Sequence, residues 1–187
     1  MKKSGIKGLW PRAGICMPIL AGMLGGCATH FEPTIAHVPQ VDIPRFMGDW
    51  YVIAHIPTRL ERNAYDAVES YALRPDGRIQ TTFRYRNNSF NAPQKTMHPL
   101  GTIQADSGNA VWGMQFIWPF QAEYVIAYLN DDYSQTIIGR SSRDFAWVMA
   151  RTPSLSQADY DRNIRRLEEM GYDVRKVRRV PQNLRVK

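Results

Sequence analysis

A chain of 187 residues, 44% of them apolar, is long enough to bury one ordinary core and short for more than one domain. Its net charge of +7 suggests nucleic acid at first sight, yet Lys2, Lys3, Lys7 and Arg12 supply four positive charges before residue 27, with no acid among them. What remains is only mildly basic, so charge gives no case for a nucleic-acid partner.

The basic start precedes the mostly apolar stretch AGICMPILAGMLGGC, which is too short to span a bilayer as a stable helix. Together they read as a signal peptide over residues 1–26. Leu24-Gly25-Gly26 stands directly before Cys27, as in a bacterial lipobox, so Cys27 is expected to carry lipid and become the new N-terminus. The plainer alternative is a secretory signal with an incidental cysteine. Ala28 after Cys27, rather than aspartate, points to the outer membrane and a periplasm-facing domain. Cys16 falls inside the signal, which leaves the mature chain one cysteine and no internal disulfide.

Residues 27–42 contain prolines and little periodicity, and read as a lipidated tether. A single domain is expected over 43–181, followed by a basic tail over 182–187. From Trp50 onward, strand-like runs recur at the spacing of all-β domains. In RIQTTFRYRNN, Ile79, Thr81, Phe83 and Tyr85 alternate with Gln80, Thr82, Arg84 and Arg86, after a Pro75-Asp76-Gly77 turn. AVWGMQFIW places Trp112, Met114, Phe116 and Trp118 on one face. AEYVIAYL, SQTIIGR and DFAWVMAR follow. With runs at Trp50, near HPLGTIQA and in YDVRKVRRV, eight or nine antiparallel strands are expected, the last through Val174, Val177 and Val180. One helix interrupts them in LSQADYDRNIRRLEEMG. Ser156 is its N-cap with Asp159 three residues on, Leu155 and Tyr160 form a staple, and Gly171 is the stop. Tyr160, Ile164 and Leu167 make a narrow apolar stripe suited to packing on the outside of a β structure.

Gly48-Asp49-Trp50-Tyr51, Asn130-Asp131-Asp132-Tyr133 and Arg151 closing WVMAR form a spaced triple that resembles the lipocalin family, in its bacterial and apolipoprotein D branch. RLERNAYDAVESYALRPDG, WPF at 118–120 and DFAWVMARTPSLS extend the similarity across about 43–181. The resemblance implies an all-β fold: an eight-stranded antiparallel up-and-down barrel closed at one end, with one C-terminal α-helix packed outside. It makes Gly48, Trp50, Asp132, Tyr133 and Arg151 structural, with Trp50 plugging the closed end under the Arg151 guanidinium. A planar cation over an indole gains roughly 0.5–2 kcal/mol. Two departures are Asp131 ahead of Asp132 and Trp118 where a glycine is common.

In such a barrel Ile79, Phe83 and Tyr85 share an inward face, as do Trp112, Met114 and Phe116, and Phe145, Trp147 and Met149. The set holds more large aromatics than a solid core explains. Phe83, Tyr85, Trp112, Phe116, Tyr124 and Trp147 are the expected walls for an acyl chain. Glu61 and Gln121 are expected at the mouth, where a carboxylate suits a cationic head group. His30, His37, His55 and His98 have no metal-ligand spacing, and Asp131-Asp132 and Glu168-Glu169 read as turn and solvated helix face. No catalytic set, metal or cofactor is expected. The expected partners are a fatty acid or lysophospholipid and, through Cys27, the membrane; a homodimer is left open. The alternatives are a lipid-modifying enzyme on the same scaffold and an envelope interaction protein with a filled barrel. Arg175, Lys176, Arg178, Arg179, Arg185 and Lys187 make the C-terminus basic, which suits solvent or anionic head groups.

Overall fold

Side-chain alternation sets which face of each strand turns inward. In β3 (Ile79–Asn87), Ile79, Thr81, Phe83 and Tyr85 are buried while the residues between them are only half-buried. The structure is a computed structural model that describes residues 30–184; the signal segment, Cys27, Arg185 and Lys187 lie outside the described residues. Its other strands are β1 (Gly48–Ile56), β2 (Ala64–Leu73), β4 (Gln94–Met97), β5 (Leu100–Ile103), β6 (Val111–Ile117), β7 (Phe120–Leu129), β8 (Gln135–Gly139), β9 (Ala146–Ala150) and β10 (Arg178–Arg179).

From β1 to β3 and from β5 to β9 each strand pairs antiparallel with the next, β5 also pairs with β3, and β9 returns to pair with β1, so the sheet closes on itself. Among the described residues, closure leaves only the short strands β4 and β10 with a single partner, so little free edge remains to invite aggregation. β4 and β5 form one stave interrupted at His98-Pro99, where proline removes a backbone donor and pairing with β3 lapses. The result is an eight-stranded antiparallel barrel with one long helix outside. β10 only supplements it, pairing Ala54 with Arg179 and His55 with Arg178.

A register shift between Val52 and Ala54 divides the work of β1. Trp50 and Val52 belong to the core inside the barrel, whereas Ala54 and Ile56 belong to a second cluster outside it. There the helix α2 (Gln157–Glu169) docks, with Leu155, Tyr160, Ile164 and Leu167 packed on Ala54, Ile137, Ala146 and Val148. Ser156 caps it by accepting from the Asp159 amide, and Gly171 follows its end at φ +85°.

Two expectations change. The valines at 174, 177 and 180 do not build a long strand: Val174–Lys176 is a 3-10 turn capped by Asp173, and only Arg178–Arg179 pairs. Their spacing of three fits a turn and not the period of two that a strand requires. The stretch read as a tether is also packed against the barrel as far back as Phe31. Ile35 and Val41 are buried, the Thr34 amide donates to Ser141 Oγ at 2.7 Å, and the Val38 amide donates to the Ile126 carbonyl at 3.1 Å. Its scattered apolar residues are enough to cover the outer wall without regular periodicity.

The closed end is built around Trp50, which is fully buried. Arg151 Cζ lies 3.8 Å above its ring centroid. That guanidinium donates to the carbonyls of Arg45, Phe46, Asp49 and Tyr133 at 2.8–3.3 Å. The Trp50 indole donates to Phe46 O at 2.8 Å. Phe46 ends the short helix α1 (Ile43–Phe46), so one cation ties together α1, β1 and the Asn130–Ser134 turn. Gly48 adopts φ +93°, a region unfavourable to other residues, just where Arg151 passes. Tyr133 also has positive φ, and its hydroxyl accepts from the Asp42 amide at 2.9 Å.

Removing the fork should therefore cost the stacking on Trp50 and four carbonyl hydrogen bonds at once. Arg151→Ala is expected to lower the unfolding free energy by about 2–4 kcal/mol. Arg151→Lys should recover less than half of that loss, because an ammonium cannot span the same carbonyls. Denaturant unfolding followed by tryptophan fluorescence reads both, and full recovery by lysine would contradict the geometry.

Candidate functional site

Above this floor the barrel holds a cavity of about 460 Å³. Phe83, Tyr85, Met97, Met114, Phe116 and Trp147 supply most of its apolar wall. The Phe83 and Tyr85 rings stack with centroids 5.0 Å apart. Tyr124 lies at the base and Glu61 near the mouth, in the loop joining β1 to β2. Of the residues expected to form the site, Glu61, Phe83, Tyr85, Phe116, Tyr124 and Trp147 thus surround one space.

Two others do not reach it. Trp112 faces inward but sits beneath the cavity, stacked on Tyr124 at 5.1 Å and edge-on to Phe46 and Tyr71 at 5.6 and 5.7 Å. It is part of the floor. Gln121 faces outward: pairing of Met114 with Ala122 sends Ala122 into the barrel, and Gln121 instead covers the outside of Gly113 next to Phe31. Proximity to WPF in sequence placed it at the mouth, but strand parity overrules proximity. Trp118, expected on the Trp112 face, stands at the hairpin tip between β6 and β7, outside the alternating run.

The rim of the mouth is apolar. Leu60 is 66% exposed, Ile117 73%, Trp118 81% and Phe120 75%, and Phe116 is half out of the cavity. Arg59 and Arg62, both exposed, flank Leu60 and Glu61 in the loop. So many large exposed apolar groups in one place depart from an ordinary soluble surface.

Three glutamates line the cavity; Glu123 accepts from the Ser141 amide and hydroxyl, and the other two are in different states. Glu61 is buried; Trp147 Nε1 donates to it at 3.1 Å and the Thr58 amide at 3.4 Å. His55 Nδ1 is 3.8 Å away, beyond hydrogen-bond distance. Burial pushes the Glu61 pKa up, but these polar neighbours outweigh it and hold it below the usual carboxylate value. Glu61 is therefore ionised at neutral pH.

Glu69 is the group that sequence reasoning missed. Ala67, Glu69 and Tyr71 share the inward face of β2, so the alternation in AVESYAL carried the signal. Glu69 pairs across the sheet with Trp50 on one side and Phe83 on the other, at the base of the cavity. Its Oε2 accepts from the Tyr71 hydroxyl, which lies 2.5 Å from the Tyr124 hydroxyl. Burial raises its pKa to about 7; repulsion from Glu61 adds to this and the Tyr71 hydrogen bond opposes it. Burial and the nearby Glu69 push both tyrosines well above their ordinary value, so they remain protonated donors. No cluster of metal-ligating side chains occurs among the described residues.

Comparison with known proteins agrees with this architecture. The chain is 29% identical over 156 residues to temperature-induced lipocalin-1 of Arabidopsis thaliana, covering 78% of this chain and 82% of that one. It is 26% identical over 166 residues to the outer membrane lipoprotein Blc of Escherichia coli K12, covering 83% and 88%. Insecticyanin from the tobacco hornworm Manduca sexta has the same fold, with a TM-score of 0.62 at 15% identity over 80% of this chain and 85% of that one. A model of the lipocalin-like domain matches residues 41–182, from the last residues before α1 through the strand that follows α2, and the chain belongs to the lipocalin family.

Proposed function

We propose that the barrel binds one hydrophobic molecule, a fatty acid or lysophospholipid, for storage or transport at the bacterial envelope, by burial and without chemistry. Lipocalins in general bind or transport hydrophobic ligands. The single observation that carries the reading is the continuous apolar wall from the rim at Phe116 down to Phe83 and Met114. Each methylene moved from water into such a wall contributes roughly 0.8 kcal/mol. The ionised Glu61 beside the mouth favours a head group with a cationic end, choline or ethanolamine, over a free carboxylate. A lysophospholipid therefore fits better than a fatty acid.

The proposed setting is the periplasmic side of the outer membrane, with Cys27 as lipid anchor. The relatives named as outer membrane lipoproteins support that placement. The rim supports it as well: Leu60, Ile117, Trp118 and Phe120 suit the acyl boundary of a bilayer, and Arg59 and Arg62 suit anionic head groups. A ligand could then pass between membrane and cavity without crossing bulk water.

Lysophospholipids of increasing acyl length should quench tryptophan fluorescence with affinity tightening roughly three- to fourfold per methylene until the cavity is full. Trp147→Phe should reduce the signal. A flat response across chain lengths would overturn the binding reading. Trp118→Glu should weaken co-sedimentation with anionic phospholipid vesicles several-fold and leave soluble-ligand affinity intact. If that variant instead turns a dimer into a monomer without changing sedimentation, the rim is a subunit interface.

A further inference from the structure

A cavity that received only alkyl chains would need no polar group at its base, yet this one has three. Glu69, Tyr71 and Tyr124 meet directly over the aromatic floor of Phe46, Trp50 and Trp112. We propose that they form a terminal polar subsite, which accepts a hydroxyl or amino group on the far end of an elongated apolar ligand. The proposal rests on the cavity-binding reading and adds to it a class of ligand: molecules polar at both ends.

The hydrogen-bond inventory supports the subsite. The Tyr71 hydroxyl has one proton and donates it to Glu69 Oε2, so between the two tyrosines Tyr124 is the donor. Both phenolic protons are then committed. Among the described residues nothing donates to Glu69 Oε1, and Glu69 is itself part of the cavity lining. Glu61, by contrast, has a donor on each oxygen, the Trp147 indole and the Thr58 amide, and lies at the other end of the cavity, where its charge acts on a head group. A methyl-terminated chain that fills the base strips Oε1 of water and returns no partner. That mismatch is worth about tenfold in affinity.

A hydroxyl can serve either protonation state of Glu69, because it both donates and accepts. An amine, cationic in solution, gains only as the carboxyl ionises, through about pH 7. The titratable groups facing Glu69 are Tyr71 on its own strand, Tyr124 from β7 and Glu61 from the β1–β2 loop. The tyrosines keep their protons and Glu61 keeps its charge across neutrality; His55 on β1 lies against Glu61 and not Glu69, so a response lost in Glu69→Gln belongs to Glu69.

The test is displacement of N-phenyl-1-naphthylamine from the purified domain by decan-1-ol, decane-1,10-diol and 10-aminodecan-1-ol. The ratio of diol to mono-alcohol affinity should be about tenfold higher in wild type than in Glu69→Leu, whose apolar base should bind decanol more tightly. In wild type, the affinity of the amino alcohol relative to the diol should rise severalfold between pH 6 and pH 8. Glu69→Gln, isosteric and without a titrating proton, should abolish that rise. Equal diol preference in wild type and Glu69→Leu overturns the subsite, as does a pH response that survives Glu69→Gln. Failure of every alkyl probe to displace the reporter from wild type would instead remove the cavity-binding reading on which it rests.

Discussion

The Arg151 guanidinium lying over the Trp50 indole is the interaction on which the barrel depends. A barrel closed by β1 meeting β9 needs its two ends fastened where the chain enters and leaves the sheet. Arg151 follows β9 directly, and Trp50 stands near the start of β1. The contact thus spans the closing seam. Four carbonyls from α1, the first strand and the turn before β8 converge on the same cation. A planar fork with donors on three nitrogens can meet that demand, and a point charge cannot.

With the floor held there, the rest of the barrel can remain hollow. Phe46, Trp50, Tyr71, Trp112 and Tyr124 pack tilted, edge to face or stacked and fill the lower part. The upper walls face open space. The missing interior packing is compensated outside, where α2 covers one side of the barrel and the segment before α1 covers another. The fold has dense packing below and around the cavity, and an apolar opening above it.

Polar groups in such an interior must be matched, and the two glutamates are matched to different degrees. Glu61 lies where a loop amide, an indole N–H and a histidine ring converge, and it stays charged. Glu69 lies mid-strand between β1 and β3, with backbone donors already used in pairing, and one tyrosine is its donor. The same side chain is thus an anion at the mouth and a group that holds its proton to about pH 7 at the base. An elongated ligand meets different electrostatics at its two ends.

Local features of the sequence were sufficient for much of this protein. The alternation in β3, the cap and stripe of α2 and the spaced Trp50, Asp132-Tyr133 and Arg151 each depend on neighbours along the chain or on a recurrent family pattern, and each appears in the structure where it was read. Strand parity from single runs also found Phe83, Tyr85 and Trp147. What required the tertiary structure was height and register. Trp112 has the inward parity of a wall residue, but only the barrel's depth makes it floor; Gln121 follows WPF, but the pairing of Met114 with Ala122 turns it outward. The packing of residues 31–42 and the meeting of Glu69 with Tyr124 join segments far apart in sequence. Alternation is a property of one strand, whereas stagger between strands arises only on closure, and it decides which inward residues meet a ligand and which hold up the floor.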